Sequence, residues 1–152
     1  MLKGIRIGLD VGSVRIGVSK CDLDGILATP VTTISAGAQA IDEVVALAKE
    51  FDAIVIYVGK PLGLKGNNTH STKEAMEFAA LLAQQLQSHP VSVRLIDERL
   101  STVTAQRGMH EAGRNVKQSR DAIDQGAAVV ILDHALETER HSGQFAGEVV
   151  AQ

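Results

Sequence analysis

The sequence predicts an α/β fold: a mixed five-stranded sheet, built as a three-strand meander plus two crossover strands, with helices on both faces. Three observations predict it. Residues 5–35 alternate apolar and polar positions between turn signals. Residues 38–51 switch to helical spacing. Two later apolar runs, 53–59 and 91–96, are separated by a helical pattern, as parallel strands joined by a crossover helix would be.

In "IRIGLDVG", Ile5, Ile7 and Leu9 share one strand face and Gly8 and Asp10 the other. "RIGVSKCD" is the second strand, after a turn around Gly12 to Arg15. "LDG", 23–25, makes the next turn, and "ILATPVTTIS" the third strand. "AQAIDEVVALAKEF" places Ile41, Val44, Val45, Ala48 and Phe51 along a helical stripe. "AIVIYVG" is a buried strand, followed by the glycine-rich polar loop "GKPLGLKGNNTHS". Ser71 or Thr72 is expected to cap the next helix, with Glu74 three residues after Ser71, and Pro90 to stop it near His89. "VSVRLIDE" is the fifth strand and ends in two carboxylates. A helix is expected over 101–113, a basic connector over "RNVKQSR" (114–120) and a long last helix over 121–137. The domain is expected over 1–138, with 139–152 a polar, partly disordered tail.

Composition narrows the function classes. The longest apolar stretch of note, "AAVVIL" at 127–132, is far too short to span a bilayer. No signal-peptide pattern opens the chain, and one cysteine, Cys21, cannot form an internal disulfide. A cytoplasmic protein is expected. The net charge of -3 means that a nucleic-acid partner would have to meet a local basic patch. With no Trp, one Tyr and three Phe, an aromatic platform for single-stranded bases is not expected.

Acids stand where ligand sites form in such sheets, at the carboxyl ends of strands: Asp10 after the first, Asp97 and Glu98 after the fifth. In the last helix Asp124 falls between Ile131 and Ala135 on the apolar stripe, with Asp121 one turn earlier. A carboxylate there calls for a buried Arg or Lys, or for a metal ion. Three acids from three elements favour the metal, and hard oxygen donors point to Mg²⁺ or Mn²⁺. If the acids converge, their repulsion predicts that Asp124→Asn stabilises the metal-free protein, whereas a buried cationic partner predicts the opposite. Arg15, Arg99, Arg114, Lys117 and Arg120 are the candidate substrate-binding cations, with Arg107 nearby. Arg99 could equally pair with Asp97 or Glu98. The five histidines lack ligand spacing, and "GKPLGLKG" lacks the spacing of a P-loop.

"GLDVGSVRIGVS", "VGKPLGLKG", "DERLST" and "DQGAAVVIL", in that order, resemble the YqgF (RuvX) family over about residues 4–138. This bacterial branch of the RNase H-like nucleases is related to the RuvC Holliday-junction resolvases. The resemblance implies an RNase H-like fold and a divalent-metal nuclease. It also implies a role in maturing the 5′ end of pre-16S ribosomal RNA, on nucleic acid within a pre-ribosomal particle. By motif, Asp10, Glu98 and Asp124 match the family's acidic triad, with Glu98 preferred to Asp97. The loop after Val58 departs from the family's usual pattern, with Lys60 after Gly59 and a polar "LKGNNTH". Other readings remain: a resolvase of branched DNA, a non-catalytic module of the ribosome or transcription machinery, and phosphoryl transfer from ATP, since the opening hairpin also looks like the phosphate-binding hairpin of the actin and Hsp70 superfamily.

Overall fold

The structure, a computed structural model, describes residues 2–98 and 116–150, and of residues 116–123 the backbone. β1 (Arg6–Val11), β2 (Arg15–Cys21) and β3 (Ala28–Ser35) form the expected antiparallel meander. The Gly12 N–H donates to the Arg15 carbonyl at 2.9 Å and closes the first turn. Gly25 closes the second at φ 67°, a left-handed conformation that glycine adopts without steric cost. α1 (Ala40–Glu50) leads to β4 (Val55–Lys60) and α2 (His70–Gln85) to β5 (Ser92–Asp97). β4 lies parallel to β1, and β5 parallel to β4. The chain then runs through α3 (Val116–Ser142) to a short β6 (Glu148–Val149), and the sheet order is β3-β2-β1-β4-β5-β6.

Alternation along the strands feeds two cores. Ile7, Leu9, Ile16, Val18, Ile56 and Val58 pack with Val44 of α1 and Ala79 and Leu82 of α2. Cys21, Val55, Tyr57 and Ile96 pack with Ile131, Leu132 and Leu136 of α3 on the other face. Those three α3 side chains are 0% exposed, and burying each contributes ~1.5–3 kcal/mol. Burial also pushes the Cys21 thiol above its ordinary range.

Four expectations are corrected. The sheet has six strands among the described residues, not five. α3 begins at Val116, so the helix takes in most of the expected connector; Lys, Gln and Arg are good helix formers and no Gly or Pro interrupts them. α2 is capped by Thr69, because Thr72 can reciprocate: each threonine side chain accepts the other's backbone N–H, at 3.3 and 2.9 Å. It ends at Gln85, and a turn fills the stretch before Pro90. The helix expected over 101–113 lies outside the described residues.

The expected polar tail is, fourthly, packed through residue 150. Residues 139–150 are part of the same packed unit. Glu139 is 2% exposed, and its carboxylate accepts from Arg6 Nη2 at 2.8 Å and from the Tyr57 hydroxyl at 2.6 Å. Arg6, 0% exposed, also donates to the Gly4 and Leu2 carbonyls at 2.6 and 2.7 Å. Burial and the neighbouring Glu139 push the Tyr57 hydroxyl well above the ordinary phenol range, so it stays a donor. Beyond α3, Arg94 Nε donates to the Ala146 carbonyl at 2.6 Å and β6 pairs with β5.

Breaking a buried ion pair from one side costs about 3–5 kcal/mol, because the remaining charge stays buried. Arg6→Met should lose about that much in urea unfolding, and a chain ended at residue 138, which also loses β6 and the Ala146 contacts, at least that much. Unchanged midpoints would show that the Arg6–Glu139 contact contributes nothing.

Candidate active site

The site is assembled from glycines as much as from acids. Alternation sends Ile7 and Leu9 of β1 into one core and leaves Gly8 and Asp10 on the α3 face. Asp10 is 7% exposed and pairs across the hairpin with Gly17. At Gly17, α3 comes down onto the sheet: a Cβ there would overlap the Asp124 carbonyl. A Cβ at Gly8 would stand 2.8 Å from the Ala128 carbonyl one turn on, and the Ser19 hydroxyl donates to that carbonyl at 2.8 Å. Gln125 Nε2 donates to the Thr33 hydroxyl at 3.0 Å, tying the same turn to β3. Asp124 therefore reaches the end of β1 because the residues beneath the helix are small.

Glu98 arrives from the other side. Val93 and Leu95 belong to the α1–α2 core and Ile96 to the α3 core. The alternation therefore places Glu98, not Asp97, on the α3 face. Its Oε1 is buried, and a Cβ at Gly59 would stand 2.8 Å from it. Gly59 follows Val58, which pairs with Leu9, so it lies beside Asp10 in the parallel register. The three acids matched by motif thus come from β1, the end of β5 and α3 to one end of one face.

Arg15 adds a contact that the helical stripe could not reveal. Its Nε donates to Asp124 Oδ2 at 2.9 Å, with side chains 30% and 18% exposed. The alternative of a cationic partner for Asp124 is therefore realised, and the acid is not left to a metal alone. Among the described residues, no group of three or more His, Cys, Asp or Glu could hold one ion as placed. The donor set is nevertheless all oxygen, which fits a hard divalent cation in type, and the cation on Asp124 is Arg15. Arg99, Arg107 and Arg114 lie outside the described residues, as do the side chains of Lys117, Arg120 and Asp121. A cavity of about 320 Å³ lined by Ser13, Ile16, Ile41, Glu74 and Phe78 opens on the α1–α2 side, apart from the acids.

A family model described as RuvX, Holliday junction resolvase, matches residues 4–138. The chain belongs to the RuvX family. Relatives named "Putative pre-16S rRNA nuclease" are similar to this RuvX chain along nearly its whole length. That of Leifsonia xyli is 43% identical and covers 99% of this chain and 96% of its own. That of Streptomyces avermitilis is 45% identical with 99% and 96% covered, and that of Corynebacterium jeikeium 48% with 92% and 90%. Among solved structures, Thermus thermophilus RuvC in complex with a Holliday junction superposes with a TM-score of 0.59 at 13% identity, covering 97% of this chain and 99% of that one. The RuvX chain thus has the RuvC-type, RNase H-like fold the sequence predicts.

The sign of one expectation changes. Asp124 is paired with Arg15 at 2.9 Å, and Asp124→Asn removes that attraction. For a pair this exposed the net is about 1 kcal/mol. In EDTA at neutral pH, Asp124→Asn should melt about 2–4 °C below wild type. Melting above wild type would show that acid–acid repulsion governs the site.

Proposed function

We propose that this chain is a cytoplasmic, divalent-metal-dependent nuclease that hydrolyses phosphodiesters at the 5′ end of pre-16S ribosomal RNA. The supporting observation is the arrival of Asp10, Glu98 and Asp124, from three elements, at one end of the α3 face. The names of the relatives supply the substrate. Asp10, Glu98 and Asp124 would hold Mg²⁺ or Mn²⁺, which supplies positive charge for the attacking and leaving oxygens and a more acidic water.

The chain's own residues do the rest. Asp10 is carried by a central strand paired on both sides, so its position costs no ordering when substrate arrives. Gly59 gives Glu98 room to lie against the sheet rather than in solvent. Asp124 is held by a helix fixed to Ser19 and Thr33 through its neighbours. On a protein of net charge -3, approach of a polyanion needs local cations. Arg15 is at the site itself, while Arg99, Arg114, Lys117 and Arg120 are the candidates beyond it.

Asp10→Asn and Glu98→Gln should each lower cleavage of precursor 16S RNA at least about a hundredfold, since loss of one group that stabilises transition-state charge costs that much. Asp97→Asn should cut at nearly the wild-type rate. The reverse order for the 97–98 pair would overturn the assignment of Glu98. Equal cutting of a four-way DNA junction by the wild type would favour the resolvase reading.

A further inference from the structure

We propose that Arg15 is a stand-in cation: its guanidinium holds Asp124 until a divalent ion takes that carboxylate, and it then turns to a phosphate of the bound nucleic acid. This deepens the reading above and rests on it.

Two arginine–carboxylate pairs among the described residues are of opposite character. Arg6 and Glu139 are 0% and 2% exposed, and Arg6 is held by two further carbonyls. Separating them would strand charge in the core, so that pair is permanent. Arg15 and Asp124 are 30% and 18% exposed, so either group can exchange its partner without being buried alone. The Arg15 backbone is fixed at the start of β2, by the Gly12 turn on one side and by pairing with Ser35 on the other. The side chain's stem starts two residues from Gly17, beneath Asp124.

Competition follows from charge. A guanidinium and a divalent ion both seek the Asp124 carboxylate, so each weakens the other's hold on it. The released guanidinium presents a planar fork suited to two phosphate oxygens. Ion and nucleic acid then favour each other, because the ion frees the group that the phosphate needs, and that coupling is reciprocal. Arg15 is accordingly a positioning residue for the ion and a contact for the substrate.

Calorimetric titration with Mn²⁺ alone tests this on wild type, Arg15→Gln, Arg15→Lys and Asp124→Asn. Arg15→Gln should bind Mn²⁺ about tenfold more tightly than wild type, within the usual range of site-to-site coupling. A disturbed fold would not raise affinity. Arg15→Lys, which keeps the charge, should fall between them and is the deciding variant if Arg15→Gln does not fold. Arg15→Gln should also bind precursor RNA more weakly in the presence of the ion. Equal or weaker Mn²⁺ binding by the Arg15 variants, with Asp124→Asn binding more weakly than wild type, would overturn the stand-in role alone. Wild-type Mn²⁺ binding by Asp124→Asn would overturn the ion-holding role of Asp124, and the role of Arg15 with it.

Discussion

The close approach of α3 to the β1–β2 hairpin is the constraint on which the rest depends. A helix over a sheet normally stands off by the depth of the side chains between them. Here Gly8, Gly17 and Ser19 present almost none, and helix carbonyls of Asp124 and Ala128 come down to the strands. The approach brings an acid from a helix beside an acid from a strand. It also removes Asp10 from water, where burial without a compensating partner would be costly.

The helix is secured at a second point. Glu139 lies fifteen residues after Asp124, ~22 Å along the axis at 1.5 Å per residue. There the Arg6–Tyr57–Glu139 cluster joins the start of β1, the middle of β4 and the end of α3. The Ala146 N–H donates to the Tyr57 hydroxyl at 3.1 Å, which brings the last segment into the same cluster. One helix is thus held by backbone contact at the acidic end and by a buried charge pair at the other. The charges at the two ends serve opposite ends: permanence at Arg6, exchange at Arg15.

Much of this was legible in the sequence. Strands β1 to β5, α1 and α2 follow hydrophobic period, and the acids at strand ends follow from the topology. That Glu98 rather than Asp97 lies on the α3 face was readable from alternation once Ile96 was known to face α3. Three features were not. Arg6 sits in an apolar run and its partner is 133 residues away, so no local pattern connects them. β6 is only two residues long, beneath any periodicity. The Arg15–Asp124 contact depends on how close the helix comes to the hairpin. The signal for that approach was present in Gly8, Gly17, Ser19 and Gly59, small residues all on one strand face, and it can be read only when the strands are laid side by side.

Gly17→Ala compared with Gly126→Ala tests the central claim most directly. Gly126, on α3, has open space where a Cβ would go. Alanine there should leave cleavage of precursor RNA intact and stabilise the helix by about 0.5–1 kcal/mol. Alanine at Gly17 should push the helix off the hairpin, retain helix and sheet by circular dichroism, and lose both Mn²⁺ binding and cleavage. A Gly17→Ala protein that binds Mn²⁺ and cuts like wild type would contradict the account.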